Sequence, residues 1–345
     1  MRVLQVDSGR EWRGGQNQVR LLCRELARDA QVEQILVTKQ DSELARRAAA
    51  DGVTVAGTSW EIGLDPRAWW QLRRTISTFQ PDIIHVHDSH ALTLAATVAM
   101  GRTLVATRRV DFHVGRFGAW RRPDRIIAVS EAVKQVLIGD GVAADAITVV
   151  TDGIDPDEIR RAAAADPPLD MRGRLRLSPK ALLAVNAAAL VDHKDHKTLI
   201  RAARAARALE PQLHWVIAGE GPQRDALAAE ITRLDLQGRV HLVGWIDRIE
   251  ALIGEASIFV MSSKLEGLGS VILNALALDR PVVATAAGGI PEILPPDVLV
   301  PPGAAEALAQ KVVEVLHDPK KVPFPPRFAA QAMQGQVLDV YRALL

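Results

Sequence analysis

Residues 257–285, "SIFVMSSKLEGLGSVILNALALDRPVVAT", give the clearest indication of the fold. This stretch starts with a short apolar run, passes through a glycine-containing turn, continues as an almost wholly apolar helix and ends in a second apolar run. Short runs of this kind are typical of strands that are buried on both faces, and a helix joining two of them is the repeating unit of a parallel α/β sheet. We therefore predict a strand–turn–helix–strand unit here.

The same unit recurs on both sides of this stretch. In the C-terminal half, further strands are predicted at "ALLAVNAA", "HWVIAGEG", "RVHLVG" and "DVLV". The N-terminal half has the same rhythm in "RVLQVDS", "VEQILVTK", "DIIHVHD", "TLVAT", "RIIAVS" and "ITVV". Between them, from about residue 154 to 179, lies a segment rich in charge, Pro and Ala that indicates a domain junction.

The predicted fold is α/β, with two doubly wound Rossmann-like domains that face each other across an interdomain cleft. In such sheets, ligands bind beyond the carboxyl ends of the strands. The turns that follow the predicted strands are therefore the places in which to look for functional side chains.

Length and composition limit the function. A chain of 345 residues suits two domains, and 48% hydrophobic with 24% charged residues is a globular composition. The formal net charge of +1 argues against a nucleic-acid partner, because nucleic-acid-binding proteins usually have a strong excess of basic residues. The N-terminal apolar run is too short for a signal peptide, and no apolar stretch reaches membrane-spanning length, so we expect a cytoplasmic protein.

Two turns contain candidate phosphate-binding groups. In "RGGQNQV", Gly14 and Gly15 precede a helix, so backbone N–H groups can approach an anion, although an ordinary strand–helix turn explains the pair equally well. In "ALVDHKDHKTLI", Lys194 follows a strand and precedes a helix, where its ammonium can lie beside phosphates.

The polar neighbours of Lys194 also suggest a metal site. Asp192, His193, Asp195 and His196 lie within five residues on one turn. Their side chains need not converge, so we favour a solvated polar loop and expect no metal.

A further turn, in "AGEGPQRDAL", contains Gly219 and Gly221. These glycines are explained equally well by contact with a ligand and by the shape of the turn.

The turn of the opening stretch has a third set of candidates. A diphosphate can lie against the amides of residues 267–270, and Glu266 can accept hydrogen bonds from hydroxyl groups. Ser270 is a candidate N-cap of the helix. Asn274 is a lone amide on this apolar helix and needs a partner, either a ligand or a neighbouring backbone group. From the residues alone, the structural partner is favoured.

One loop mixes arginines with aromatic rings. It spans residues 107–125, follows a predicted strand and suits an anionic acceptor or lipid headgroups, with a solvated loop as the alternative. Its members are Arg108, Arg109, Arg116, Arg121, Arg122, Arg125, Phe112, Phe117 and Trp120.

Taken in order, these motifs resemble family 4 of the retaining glycosyltransferases, which have the GT-B fold. The resemblance covers most of the chain and includes "PDIIHVHD", "AVSEAVKQVL", "ITVVTDGID", "EGLGSVILNALALDRPVVATAAGGIPEIL" and "VPPGAAEALA". It implies an acceptor-side domain at 1–165, a donor-binding domain at 166–325 and a last helix at 326–345 that packs back on the first domain.

The resemblance also implies roles for individual residues. Lys194 would bind the diphosphate, Glu266 would position the transferred sugar, and Arg109 would stand where the family often has an acceptor-side histidine. The donor-binding set would be Gly14, Gly15, Gly219, Gly221, Gly267, Leu268, Gly269, Ser270 and Asn274. The acceptor-side set would be Arg108, Asp111 and His113.

The sequence departs from the family pattern in three places. Asn274 replaces the second glutamate of the family's E-x7-E element, Ala189 replaces an arginine, and Arg109 replaces the histidine. An amide at position 274 can still donate to and accept from a hydroxyl.

The expected function is retaining, metal-independent sugar transfer from a nucleotide-sugar donor to a lipid-linked or saccharide acceptor, without a cofactor. The expected context is cell-envelope glycolipid, lipopolysaccharide or polysaccharide synthesis, with peripheral contact to an anionic membrane. Two alternatives stay open: a nucleotide-sugar epimerase on the same fold, and a nucleotide-sugar-binding protein without catalysis.

Overall fold

A computed structural model describes residues 1–61, 65–115, 118–319 and 321–345. Its contacts divide the chain into two units. Unit 1 consists of Met1–Ile154 and Pro326–Leu345, and unit 2 of Asp155–Pro325.

Within its described residues, unit 1 contains a parallel sheet of seven strands in the order β3-β2-β1-β4-β5-β6-β7. The strands are β1 (Arg2–Asp7), β2 (Glu33–Lys39), β3 (Val55–Thr58), β4 (Ile83–Val86), β5 (Thr103–Arg108), β6 (Arg125–Ala128) and β7 (Ile147–Val149). Six of them coincide with predicted apolar runs. The seventh, β3, was not predicted, because only Thr58 of its four residues is buried and the apolar signal is weak.

The helices of unit 1 cover the two faces of this sheet. They are α1 (Gly14–Leu26), α2 (Glu43–Ala50), α3 (Pro66–Phe79), α4 (Ser89–Val98), α5 (Glu131–Gly139) and, at the end of the chain, α13 (Ala330–Arg342). Asp65, Asp88 and Ser130 accept backbone N–H bonds at the starts of α3, α4 and α5, as is typical of N-cap residues. Helix α13 packs against α1 and the sheet, and its Met333, Val337 and Tyr341 lie in the core of unit 1.

Unit 2 repeats the strand order of unit 1. Its sheet, in the described range, has six parallel strands in the order β10-β9-β8-β11-β12-β13. They are β8 (Leu182–Ala187), β9 (Leu213–Ala218), β10 (Val240–Gly244), β11 (Ile258–Met261), β12 (Val282–Thr285) and β13 (Leu299–Val300). The helices are α6 (Pro156–Ala163), α7 (Met171–Arg174), α8 (His196–Ala206), α9 (Arg224–Arg233), α10 (Ile249–Gly254), α11 (Val271–Ala277) and α12 (Ala305–His317).

The boundary between the units falls earlier than the one drawn from the sequence after residue 165. Helix α6 packs on α10 and α11, so residues 155–165 belong to unit 2. Helix α6 was not predicted, because the segment is charged and rich in Ala and contributes only Ile159 to the core.

No helix among the described residues combines the length and the apolar character that crossing a membrane requires.

Candidate functional site

Each sheet reverses its strand order at one place. In unit 1 the reversal lies between β1 and β4, and in unit 2 between β8 and β11. At such a reversal the connections leave in opposite directions and open a crevice beyond the carboxyl ends of the two strands. The residues that follow these four strands are therefore the candidates for ligand contact.

In unit 2, the crevice brings together Lys194, which follows β8, and Glu266, which follows β11. The Lys194 ammonium donates to the Glu266 Oε2, and the two side chains are 17% and 12% exposed. The hydroxyl of Ser263 donates to the same carboxylate oxygen at 3.2 Å. The two residues that the sequence selected for diphosphate and sugar thus form an ion pair at the reversal.

The loop that contains Glu266 is held by backbone contacts. The Lys264 N–H donates to the His193 carbonyl oxygen at 2.8 Å, which joins the loops that follow β8 and β11. The Gly289 N–H donates to the Glu266 carbonyl oxygen at 3.1 Å. Gly288 has φ +49°, and a Cβ there would lie 1.7 Å from that same oxygen. Glu266 is therefore positioned by a backbone arrangement that requires glycine nearby.

The turn after β9 packs against the loop that leads to Lys194. Gly219 has φ +140°, and a Cβ on it would lie 2.0 Å from the Ala188 carbonyl oxygen. A Cβ on Gly221 would lie 2.5 Å from the Leu190 carbonyl oxygen. The close approach of the backbone thus explains why both positions are glycine. The sequence left ligand contact and turn shape open as explanations, and this packing supports turn shape.

The turn before α11 differs from its prediction in one detail. Ser270 stands at the N-cap position, but its side chain makes no capping hydrogen bond there. Its φ and ψ of −56° and −23° are already helical, whereas an N-cap residue typically has a non-helical backbone. The N–H groups of Leu268, Gly269 and Ser270 donate to no group within the described ranges.

Asn274 is half-buried on α11, and its side chain makes no hydrogen bond within the part of the chain that the structure describes. The neighbouring backbone group that the sequence argument favoured as its partner is therefore absent from the described residues. An amide in this position can bond to a ligand hydroxyl.

The polar residues around Lys194 have structural roles. Asp195 caps α8, where its carboxylate accepts from the Thr198 hydroxyl at 2.7 Å. The buried His196 Nε2 lies 3.1 Å from the Asn186 Oδ1, and burial lowers the pKa of His196 to about 4. Across the described ranges there is no group of three or more His, Cys, Asp or Glu residues that could hold a metal ion.

In unit 1, Arg109 lies just after β5 beside the start of α1. Its Nε donates to the Asp152 Oδ1 at 3.1 Å, and its Nη1 lies 3.4 Å from the His87 Nδ1. The Arg109 side chain is 12% exposed. A Cβ placed on Gly15 would have the Arg109 Cδ as its nearest neighbour, at 4.0 Å. The first turn of α1 is thus open and has a guanidinium beside it.

Beneath Arg109 lies a buried polar network, which we call the unit 1 relay. The His87 Nε2 lies 2.7 Å from the Gln5 Oε1, and the Gln5 amide nitrogen donates to the Tyr341 hydroxyl at 3.2 Å. The Tyr341 hydroxyl lies 2.6 Å from the His85 Nδ1. The His85 Nε2 in turn lies 2.7 Å from the Thr107 Oγ1.

The donors and acceptors of the unit 1 relay follow from one another. Because the Gln5 Oε1 can only accept, His87 carries its proton on Nε2 and leaves Nδ1 free to accept from Arg109. Because the Tyr341 oxygen accepts from Gln5, its own proton goes to the His85 Nδ1. Both imidazoles are therefore neutral, and burial accordingly lowers the pKa of His85 to about 3 and that of His87 well below its usual value.

Asp7, at the end of β1, is the buried carboxyl of this crevice. Its Oδ1 accepts from the Gly9 N–H at 2.8 Å and from the Gln16 amide at 3.4 Å. Burial, followed by the charge of Asp88, raises the pKa of Asp7 to about 6. A carboxyl with such a pKa changes its charge near neutral pH.

The three residues predicted on the acceptor side lie in different environments. Arg108 is buried, with its guanidinium 5.0 Å from the Trp120 ring centre and 2.7 Å from the Phe112 carbonyl oxygen. Asp111 is also buried, whereas His113 is exposed and lies 2.7 Å from an Asp140 oxygen.

Two arginines of the arginine–aromatic loop bond to backbone carbonyl oxygens elsewhere in unit 1. The Arg121 guanidinium donates to the carbonyl oxygens of Asp140 and Gly141, and Arg125 donates to that of Asp145. Arg116 and Phe117 lie outside the described residues.

Sequence reasoning missed the members of the unit 1 relay and Asp7. Polar residues inside buried strands were the available signal: Gln5 in "RVLQVDS" and the two histidines of "DIIHVHD". Tyr341 gave no such signal, because it comes from the other end of the chain.

The chain belongs to the group 1 glycosyl transferases. The family model described as "Glycosyl transferases group 1" matches residues 170–332, and the model "Glycosyltransferase Family 4" matches residues 12–158. A glycogen synthase of Mycobacterium tuberculosis is 30% identical over 77% of this chain and 68% of its own length. These matches confirm the family that the motifs predicted.

Two further proteins show similarity over different extents. The lipopolysaccharide core biosynthesis glycosyltransferase LpsE of Rhizobium meliloti is 32% identical over 43% of this chain, and the match spans less than half of the relative, also 43%. The crystal structure of Anabaena Alr3699/HepE in complex with UDP-glucose superposes with a TM-score of 0.83 at 21% identity, covering 99% of this chain and 100% of that one. At this identity the structural likeness shows the fold, which is the predicted α/β GT-B class.

Proposed function

We propose that the protein is a retaining glycosyltransferase that moves a sugar from a nucleotide-sugar donor to an acceptor hydroxyl. The ion pair of Lys194 and Glu266 at the strand reversal of unit 2 is the observation that carries this proposal. A cation and a carboxylate side by side offer the two contacts that a nucleotide sugar needs, one for its diphosphate and one for the hydroxyls of its sugar.

The ion pair indicates how the donor binds. The diphosphate takes the place of Glu266 as the partner of Lys194, so that the carboxylate is released to accept from sugar hydroxyls. The N–H groups of Leu268, Gly269 and Ser270, which have no acceptor in the described part of the chain, supply further donors. The Asn274 amide bonds to the ribose hydroxyls of the nucleotide.

The chemistry follows from this placement. The bond between the anomeric carbon and the phosphate oxygen breaks, the acceptor oxygen bonds to that carbon from the same side, and the acceptor's proton goes to the leaving diphosphate. Lys194 stabilises the negative charge that develops on the diphosphate, so that charge stabilisation needs no metal ion. Catalysis rests on placing the substrates and on this charge stabilisation.

Unit 1 supplies the acceptor side in this proposal. Arg109 is fixed by Asp152 and His87, and Gly15 leaves room beside it. We propose a cell-envelope glycolipid or polysaccharide as the acceptor, because one relative is a lipopolysaccharide core glycosyltransferase. A UDP-sugar is the first donor to test, because HepE was crystallised with UDP-glucose.

The test compares the binding of UDP with that of uridine by calorimetry. Lys194→Ala should weaken UDP binding by about ten- to a hundredfold, the worth of one charge-assisted contact of roughly 1.5–3 kcal/mol, and should leave uridine binding unchanged. Lys264→Ala is the matched control, because this nearby lysine is 54% exposed and pairs with Asp195.

Equal losses for UDP and uridine in Lys194→Ala would remove Lys194 from the diphosphate site. UDP-sugar binding without transfer over a broad acceptor panel would favour a binding protein without catalysis. Conversion of a UDP-sugar in the absence of any acceptor would favour the epimerase.

A further inference from the structure

Helix α3 in unit 1 has an unusual outer face. Its buried positions follow helical spacing and face the core: Ala68, Leu72, Ile76 and Phe79. Its exposed positions repeat at the same spacing and include Arg67, Trp70, Arg73 and Arg74. Trp70 is 57% exposed, although a tryptophan at a surface position generally buries more of its ring.

Each of the two tryptophans on this helix is paired with an arginine one turn later. The Arg73 guanidinium lies 5.6 Å from the ring centre of Trp69, and the Arg74 guanidinium lies at the same distance from that of Trp70. Cation–π contacts of this kind hold the guanidinium beside the ring. The helix therefore presents rings and positive charges as adjacent pairs.

The surface continues from α3 onto the end of α4. The Trp69 indole N–H donates to the Thr97 hydroxyl at 3.0 Å, and the Arg122 guanidinium donates to the Ala96 carbonyl oxygen at 3.4 Å. Met100, which directly follows α4, is 56% exposed. We call this surface the basic aromatic face and define it by Arg67, Trp69, Trp70, Arg73, Arg74, Met100 and Arg122.

Charge on this surface is strongly unbalanced. The segments 66–79 and 89–102 contain arginines at positions 67, 73, 74 and 102 and neither Asp nor Glu, in a chain with 42 basic and 41 acidic residues. The acids that directly precede the two segments, Asp65 and Asp88, accept backbone N–H bonds as the caps of α3 and α4. A local excess of arginine on a nearly neutral protein indicates an anionic partner.

We propose that the basic aromatic face binds an anionic lipid bilayer. Arginines near an anionic leaflet are attracted electrostatically, and tryptophan is favoured at the boundary between headgroups and hydrocarbon. The exposed Met100 adds an apolar contact. A bilayer is favoured over an acidic protein because the rings are presented on the outside of a helix. This inference concerns unit 1 and does not depend on the proposed sugar transfer.

The test measures flotation of the full chain with vesicles of phosphatidylcholine that contain 30% or no phosphatidylglycerol. The parent should bind the anionic vesicles at low salt and lose most of this binding at about 0.5 M salt, where charges are screened within a few ångströms. Arg73→Ser combined with Arg74→Ser should lower the partition coefficient about 25-fold at low salt, from roughly fivefold for each arginine.

Matched controls separate the proposed surface from general charge and hydrophobicity. Arg174→Ser combined with Arg204→Ser removes the same charge from exposed positions of unit 2 and should leave the partition unchanged. Trp70→Ser should reduce the part of the tryptophan fluorescence that brominated lipids quench. Trp245→Ser, which removes a 55% exposed ring from unit 2, should not.

Three outcomes would overturn the proposal. They are no binding of the parent to anionic vesicles at low salt, an equal loss in the unit 2 control, and binding to a soluble polyanion such as heparin without binding to vesicles. The last outcome would assign the face to a soluble anionic partner.

Discussion

Unit 1 and unit 2 have the same strand order, yet they fill the crevice at its reversal in different ways. In unit 2 the crevice contains the partly exposed ion pair of Lys194 and Glu266 on glycine-shaped loops. In unit 1 it contains a buried carboxyl and a relay of neutral side chains that bond to one another. The same architecture thus supports an ion pair that can exchange partners in unit 2 and a preorganised polar core in unit 1.

The difference has a physical reason. A partly exposed lysine and glutamate that form an ion pair can be separated by a ligand that offers phosphate to the lysine and hydroxyls to the glutamate. Buried neutral groups that already satisfy each other lose hydrogen bonds when one member is removed, and water cannot readily replace them. Substitutions in unit 2 should therefore change ligand binding and turnover, and substitutions in the unit 1 relay should change stability.

The largest effect is expected for Glu266→Ala. Loss of the carboxylate removes the proposed contact with the transferred sugar, so kcat/KM for transfer should fall by about a hundred- to a thousandfold, the usual cost of losing one preorganised polar contact at a reacting centre. UDP affinity should be kept or should rise, because Lys194 then lacks its competing partner. Near-normal turnover with the native donor would reduce Glu266 to a turn residue.

The next effect concerns the pH dependence of unit 1 through Asp7. Its pKa in the folded state is about 6, against 3.8 as the ordinary value. Between these values the folded state binds more protons than the unfolded state, so the contribution of Asp7 to stability is full below pH 3.8 and is lost as pH rises through about 6. Above that pH the ionised buried carboxyl lowers the free energy of unfolding.

Asp7→Asn removes the cost of the ionised buried carboxyl. The amide oxygen of the asparagine can still accept from Gly9 and Gln16. At pH 7.5 the substitution should raise the free energy of unfolding by about 1–3 kcal/mol, and the difference from the parent should disappear near pH 4. Amide hydrogen exchange in β1 and β4 measures this within unit 1. A variant that is less stable than the parent at pH 7.5 would contradict the prediction.

Tyr341→Phe should destabilise unit 1 by roughly 1–3 kcal/mol, because the His85 Nδ1 and the Gln5 amide are left without their common partner. Exchange in β1, β4 and α13 should speed up, while the strands of unit 2 serve as the internal control. UDP affinity should stay at the parent value. If the free energy of UDP binding falls as much as the free energy of unfolding, the unit 1 relay also affects the nucleotide site.

The smallest effect is expected for Asn274→Leu. It should lower donor affinity by the worth of one or two neutral hydrogen bonds, about 0.5–1.5 kcal/mol each, and leave the ligand-free stability nearly unchanged. Asn274→Glu should be tolerated, with an effect that depends on the donor. Calorimetry and thermal unfolding of both variants check this. A loss of several kcal/mol in ligand-free stability with unchanged donor affinity would make the amide a structural group.

Much of the fold could be predicted from local pattern. The apolar runs identified six strands of each unit, because strands buried on both faces must be apolar nearly throughout. β3 was missed because its residues are mostly half-exposed, and α6 because its apolar contribution is a single residue. Ser270 was placed correctly at the N-cap position of α11, but its side chain makes no capping hydrogen bond.

The α/β class, the two halves, the family and the selection of Lys194 and Glu266 as candidates could be predicted before the structure was known. Each of these depends on short-range patterns around strand ends. Tertiary structure alone decided that Lys194 meets Glu266 across 72 residues and that Tyr341 reaches His85 across 256. Such partners are set by strand order and by the return of α13 to unit 1. Hydrogen bonds between distant residues produce no periodic pattern in a sequence. A buried polar residue shows that a partner is needed, but it does not show which residue of the chain is that partner.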